Sequence, residues 1–306
     1  MTSEDLLPSW RDGAARSALV EFLGRADEIP IDERVAVFDN DGTLWCEKPR
    51  YAQLDFFLWE LGLAVRERPE LHDVPEYDAL LRGDPAALAG FGLERIAAAL
   101  LGLFEGSDPQ SFEHRVRSFF AAARHPETGR RYDRMVYRPM VELLEALEGR
   151  GFATCIVTGG GTEFVRAISD RVYGVPPERV VGTLVTYEFR RRNGRPVLLR
   201  TRAVQGAVNE GAAKVSNIQV GLGRRPALAA GNSPGDAEML EYTLAGAGPR
   251  LALLVNHDDP AREHAYRSEA ATFSGAESIT AAAARLGWTQ VSMRDDWAVV
   301  FPEDCP

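Results

Sequence analysis

Residues 34–43 read Arg34-Val35-Ala36-Val37-Phe38-Asp39-Asn40-Asp41-Gly42-Thr43. The apolar run Val35-Ala36-Val37-Phe38 has no polar alternation, the pattern of a strand buried on both faces of a parallel sheet. It stops at Asn40-Asp41-Gly42, a turn signal. Two carboxylates, Asp39 and Asp41, therefore stand two residues apart just past the end of a core strand. Ligands of open parallel sheets bind beyond the carboxyl ends of the strands, so this turn lies where a site belongs.

The pattern repeats further along the chain. Phe152-Ala-Thr-Cys-Ile-Val157 is a second buried strand, followed by Thr158-Gly159-Gly160-Gly161 and a helix over 162–172. A strand at 226–230 runs into Gly231-Asn232-Ser233-Pro234-Gly235-Asp236 and another helix, and 250–256 is a further apolar strand. After it come a helix and an edge strand near 288–293. Residues 179–190 and 195–201 flank Asn193-Gly194, a hairpin signal. Helices are predicted at 3–27, 50–66, 85–104, 108–124, 137–149 and 206–221. The first starts at Ser3-Glu4-Asp5, with Pro8 and Gly13 weakening its early turns. Strands alternating with helices imply an α/β sheet. The stretch between the first two core strands far exceeds the dozen or so residues a crossover needs and is helical. It reads as a helical domain, 47–135, inserted into an α/β core of 1–46 plus 136–306.

Composition narrows the function. The chain has 306 residues, 45 acidic and 35 basic, for a formal charge of −10. That balance argues against nucleic-acid binding, which needs a basic footprint. The three cysteines, Cys46, Cys155 and Cys305, form neither a disulfide framework nor a zinc pattern. Cys155 reads as a small core residue. None of the five histidines has metal-ligand spacing. The N-terminal residues do not read as a targeting peptide, and no apolar run reaches membrane-spanning length. A cytoplasmic protein without a membrane or nucleic-acid partner is expected.

Asp39 and Asp41 repel each other unless a cation or a shared proton intervenes. Magnesium meets that need, because it takes oxygen ligands and few protein carboxylates. Asn232 and Asp236 offer further oxygens from the neighbouring strand end. One carboxylate can then attack phosphorus, and the other can protonate the leaving oxygen and activate water. The Thr158 hydroxyl and the loop amides, Gly159 among them, suit the equatorial phosphate oxygens.

With these stretches in order, Asp39-Asn-Asp41-Gly-Thr43 resembles the first motif of the haloacid dehalogenase superfamily. Thr158-Gly-Gly resembles the second, Lys214 in Gly-Ala-Ala-Lys-Val the third, and Gly231-Asn-Ser-Pro-Gly-Asp236 the fourth. The helical insert is similar to that superfamily's first cap type on a Rossmann-like core. The Thr-Gly-Gly and Gly-Asn-Ser-x-Gly-Asp forms are most similar to its phosphoserine and phosphorylcholine phosphatase branch. The resemblance implies a magnesium-dependent hydrolase of a small phosphorylated metabolite, working through an aspartyl-phosphate. It makes Asp39 nucleophile and metal ligand, and Asp41 general acid/base with its carbonyl on the metal. Thr158 and Lys214 become phosphate contacts, and Asn232 and Asp236 complete the metal site. Asn232 departs from the Asp that relatives often carry, which removes one charge from the metal. Asp41 speaks against a dehalogenase, whose halide needs no proton.

Several rivals remain open. A phosphotransferase or phosphomutase of the same fold would pass the phosphoryl group to another alcohol. A catalytically silent metabolite-binding protein would keep the fold alone. Arg202, Arg224 and Arg225 are alternatives to Lys214. In the linker to the insert, Trp45, Glu47 and Lys48 are candidate substrate contacts. Phe56, Phe57, Trp59, Tyr132, Tyr137 and Trp297 read as core, and Arg190-Arg191-Arg192 as a solvated hairpin tip. The substrate and the oligomeric state are not legible.

Overall fold

The computed structural model describes residues 6–268 and 277–302. Strand β1, Val35–Phe38, is buried along its whole length. It pairs in parallel with β2 (Ala153–Gly161) on one side and β5 (Leu228–Gly231) on the other. Strand β3 (Val180–Arg192) continues in parallel beyond β2, and β4 (Arg195–Gln205) returns antiparallel to β3 through the Asn193-Gly194 turn. Strands β6 (Leu251–Asn256) and β7 (Thr289–Ser292) extend the other side in parallel. The order is β4-β3-β2-β1-β5-β6-β7. The strand order reverses between β1 and β5, which opens a crevice where such sheets bind ligands.

Successive side chains of a strand point to opposite faces, and β1 divides accordingly. Ala36 and Phe38 enter one hydrophobic cluster, while Val35 and Val37 enter the other. Helices cover both faces: α1 (Ala14–Gly24), α7 (Arg138–Glu148), α8 (Thr162–Tyr173), α9 (Ala212–Leu222), α10 (Ala237–Leu244), α11 (Ile279–Leu286) and the short α12 (Met293–Asp296). Between β1 and β2 the chain forms α2 (Ala52–Glu67), α3 (Pro75–Arg82), α4 (Pro85–Phe91), α5 (Leu93–Gly102) and α6 (Pro109–Ala122). These inserted helices share a core with the sheet layer. Phe164 of α8 meets Phe56 of α2 and Phe120 of α6 at centroid distances of 5.4 and 5.8 Å.

The α/β class and the placing of the strands agree with the sequence reading, and the differences are local. The single helix expected over 85–104 breaks at Gly92, whose φ of +78° is left-handed, and its halves are bent by 95°. The helix expected from 206 begins at Ala212, after Gly206 and Gly211, which both have positive φ. Helix α3 was not expected; it opens on Pro75 at its first position. Helix α1 starts only at Ala14, after Pro8 and the extended Gly13, and the Ser3-Glu4-Asp5 start signal lies outside the described residues. Strand β2 runs on to Gly161, with a register irregularity against β3 between Val157 and Gly161. Cys155 is a buried free thiol, and Cys305 lies outside the described residues. Phe56, Tyr132, Tyr137 and Trp297 are buried core residues, and Trp59 packs partly buried against the same cluster. Phe57 is buried too, but it also borders the cavity described below. Among the described residues no single helix is long and apolar enough to cross a membrane.

Candidate active site

The ends of β1, β2 and β5 bring Asp39, Lys214 and Asp236 together. The Asp39 amide donates to the Ala230 carbonyl at 2.9 Å, which ties the start of the turn to β5. Lys214, on α9, is buried, and its Nζ donates to Asp39 Oδ1 at 2.6 Å, Asp236 Oδ1 at 2.6 Å and the Val157 carbonyl at 2.9 Å. All three ammonium protons thus have acceptors. The three arginines weighed against Lys214 lie elsewhere. Arg202 is exposed, Arg224 reaches Asp32, and Arg225 donates to the Tyr242 carbonyl.

Two buried carboxylates share this one lysine. Burial and the Asp236 carboxylate push Asp39 well above the ordinary carboxylate range, against the pull of Lys214. Burial works against the charge of Lys214, but Asp236 and Asp39 together hold it above the ordinary lysine range. With Asp39 ionised the array carries one excess negative charge, which a proton on Asp39 or a further cation relieves.

Asp41 stands at the rim, partly buried. Burial raises its carboxyl to about 6, although a hydrogen bond from Trp45 opposes the rise. A group near 6 can both give and take a proton close to neutrality. Trp45 Nε1 donates to Asp41 Oδ1 at 2.8 Å, while its ring is buried against Phe120, Phe164 and Tyr173.

Trp45, a candidate substrate contact, has its ring buried and outside the cavity wall, with its N–H turned to Asp41. Lys48, another candidate in the linker, faces Tyr266. Its Nζ lies 4.4 Å from the Tyr266 ring centroid, a cation–π contact outside the cavity wall. Glu47 does border the cavity; it is buried and accepts from the Tyr266 hydroxyl at 2.6 Å. Replacing Trp45 by Phe keeps the ring and removes the N–H. A hydrogen bond to a charged group contributes about 1.5–3 kcal/mol, so kcat is expected to fall roughly tenfold with KM nearly unchanged. Steady-state kinetics check this, and an unchanged kcat would remove Trp45 from the machinery.

Thr158 is fully buried, and its hydroxyl accepts from the Gly160 amide at 3.0 Å. Gly159, Gly160 and Gly161 form the adjoining wall. A Cβ at Gly159 would come within 3.1 Å of Glu210 Oε1, so the lack of a side chain there keeps the loop against Glu210. Gln53 of α2 accepts from the Gly161 amide at 2.8 Å and so couples the inserted helices to the loop. Nothing in the sequence marks Gln53, Glu210 or His257 as site residues. His257 Nε2 lies 2.8 Å from the Gly42 carbonyl oxygen; a carbonyl only accepts, so this nitrogen carries the proton.

Asp236, expected as a metal ligand, is committed elsewhere. Its Oδ1 receives Lys214, and its Oδ2 accepts from the Asn232 and Ser233 amides at 3.1 and 3.0 Å. Its tasks here are to pair with the lysine and to cap the turn. Among the described residues no group of three or more His, Cys, Asp and Glu side chains is arranged to hold a metal ion. The oxygens left are those of Asp39, the Asp41 backbone and Asn232, a hard donor set compatible with a magnesium ion that keeps several waters. Gly42 makes room for this set. Its φ is +73°, and a Cβ there would fall 2.0 Å from Asn232 Nδ2 and 3.0 Å from Glu47 Cδ. The buried Glu47 carboxylate, 3.4 Å from Asn232 Nδ2, places beside Asn232 the charge that asparagine lacks.

No curated protein matches this chain. Among solved structures, a protein of unknown function from Bordetella pertussis Tohama I is 18% identical, with a TM-score of 0.50 covering 85% of this chain and 98% of that one. A conserved protein of unknown function from Anaerococcus prevotii DSM 20548 is 14% identical, with a TM-score of 0.53 over 80% and 86%. At such identities the likeness is one of fold. A phosphoserine phosphohydrolase-like protein from Francisella tularensis subsp. tularensis SCHU S4 is 18% identical over 73% of this chain and 88% of that one, at a TM-score of only 0.40. The sequence model of the haloacid dehalogenase-like hydrolases matches residues 36–241, from β1 through the Asp39 turn, Lys214 and the Asn232–Asp236 turn into α10. The chain belongs to the haloacid dehalogenase-like hydrolase family.

Proposed function

We propose that the protein is a magnesium-dependent phosphatase that hydrolyses a phosphate monoester through an aspartyl-phosphate on Asp39. The observation that carries this reading is the buried Asp39–Lys214–Asp236 array, with Asp41 standing at its rim under the Trp45 indole. Lys214 holds Asp39 by Oδ1, which leaves Oδ2 to attack phosphorus. The O–P bond to Asp39 forms as the bond to the leaving oxygen breaks, and Asp41 gives its proton to the departing alcohol. Asp41, now ionised, takes a proton from water, which attacks the same phosphorus and releases phosphate and the Asp39 carboxylate. The Gly160 amide is held by Thr158 and the Gly161 amide by Gln53, so the Thr158 hydroxyl proton and the Gly159 amide are the loop donors proposed for the equatorial oxygens. A magnesium ion, when bound by Asp39, the Asp41 carbonyl and Asn232, supplies charge neutralisation for two anions in contact. Glu47 stands behind Asn232.

The helices of 47–135 are proposed as a cap on the core, coupled to the active-site loop through Gln53. A cytoplasmic location fits the same proposal. A phosphotransferase would share every residue named, and product analysis with a competing alcohol separates the two. Exhaustive chelation is expected to reduce release of phosphate from 4-nitrophenyl phosphate to background, with added magnesium restoring it. An unchanged rate in chelator would sink the metal assignment.

A further inference from the structure

A cavity of about 760 Å³ runs from Asp39 and Lys214 to the inserted helices. Beyond the site its wall changes character. Helix α5 presents Leu93, Ile96, Ala97, Leu100 and Leu101 to it. These are spaced i, i+3, i+4, i+7 and i+8, one face of a helix, and this face looks into a cavity. Leu80 of α3 and Leu88 of α4 continue the surface, and Val185 and Val204 close it from the β3–β4 hairpin. Several of these apolar groups stand in water: Leu93 is 73% exposed, and Val208, also on the wall, 49%. A contiguous exposed apolar surface joined to a polar site marks a binding surface.

The charges on this part of the wall cancel. Glu47 and Glu210 stand at the Asp39 end, beside Asn232 and Gly159; along the apolar part, among the described residues, the charges are Glu163 and Arg200, paired at 3.0 Å, with the Arg200 guanidinium 3.9 Å from the Phe112 ring centroid. Arg200 is buried. An amino acid or choline head group placed along α5, away from Glu47 and Glu210, would lose hydration with only the paired Glu163 and Arg200 near it, at a cost of several kcal/mol for an ion. An alkyl, prenyl or aryl body would lose only its contact with water.

We infer that the substrate is an amphiphilic phosphate monoester, with its phosphate at Asp39 and an apolar body along α5, Leu80, Leu88 and the β3–β4 hairpin. This rests on the phosphatase reading for the phosphate end, and on the cavity for the body. It departs from a small polar metabolite such as phosphoserine.

The test uses the full chain with magnesium and the series ethyl, butyl, hexyl and octyl phosphate, with phosphoserine and 4-nitrophenyl phosphate alongside. Full burial makes each methylene worth roughly threefold or more in kcat/KM, so octyl phosphate, four methylenes longer, should exceed butyl phosphate by at least about eightyfold. Leu93→Asp and Ile96→Asp should pull the octyl-to-ethyl ratio towards one. A ratio is unaffected by any loss of folded protein. A flat series, or phosphoserine turned over faster than octyl phosphate, would overturn the inference while hydrolysis of 4-nitrophenyl phosphate leaves the phosphatase reading standing. If no ester is hydrolysed, the phosphatase reading fails, and calorimetric binding of octylphosphonate against ethylphosphonate decides the cavity by itself. Equal affinities would then reject it, and tighter octyl binding would support it.

Discussion

Asp39→Asn is expected to abolish turnover, by at least about 10⁴-fold, as removal of a nucleophile does in enzymes of covalent mechanism. The amide has the carboxylate's shape but cannot form the acyl-phosphate. The fold should not suffer. Asp39 lies buried beside Asp236, and this pair pushes its folded pKa above the ordinary value. The ionised form is therefore disfavoured in the fold. Stability linked to this proton is fully present below the ordinary carboxylate pKa and is lost as pH rises through the raised folded value. Asparagine mimics the protonated state at every pH. In chelator at neutral pH, the thermal midpoint of Asp39→Asn should equal or exceed that of the parent chain. Substantial phosphatase activity in the variant would refute the nucleophile assignment. A large drop in its midpoint would show instead that the charged Asp39–Lys214 pair is a structural requirement.

Lys214→Met should act in the opposite sense on stability. The lysine is buried and its three donors are all used. Methionine fills a similar volume but leaves the Asp39 and Asp236 carboxylates facing each other without a cation. Breaking a buried pair by removing one partner costs about 3–5 kcal/mol, which in a chain of this size lowers the thermal midpoint by on the order of 10 °C. Activity should fall as well, because Asp39 loses the group that orients it. Adding Asp236→Asn to Lys214→Met removes one orphaned charge and should recover part of the loss, a coupling that a double-mutant cycle reads directly. If Lys214→Met unfolds at the parent's temperature, the array contributes nothing to the fold.

How far the site can be read from the sequence differs from residue to residue. Asp39 and Asp41 stand out because a turn directly follows four buried residues, and strand burial is a local pattern. Lys214 is one lysine on a helix, and only the resemblance singled it out from Arg202, Arg224 and Arg225. Its burial between β1, β2 and β5 is a property of three distant segments meeting. Asp236 is marked in the sequence by its turn, while the facing of its oxygens to Lys214 and the turn amides depends on α9 and β5 coming together. Trp45 was marked for its place in the linker, yet which way its indole points depends on Phe120, Phe164 and Tyr173, three side chains far away in the chain. Gln53, Glu210 and His257 carry no local signature at all.

The sequence by itself determined the α/β class, the strand positions, the helical insert after β1 and the carboxylate turn at the carboxyl end of the first core strand. Each follows from short-range physics: side-chain period, turn chemistry and the length of an insertion. Only the tertiary structure decided what α5 faces. Its stripe from Leu93 to Leu101 has the spacing of a core helix, and periodicity states which residues share a face without stating what lies opposite. The α3–α5 helices and the β3–β4 hairpin meet across an open volume joined to Asp39, and this makes the stripe a cavity wall. That juxtaposition joins residues as far apart in the chain as Leu80 and Val204, which no window of sequence contains.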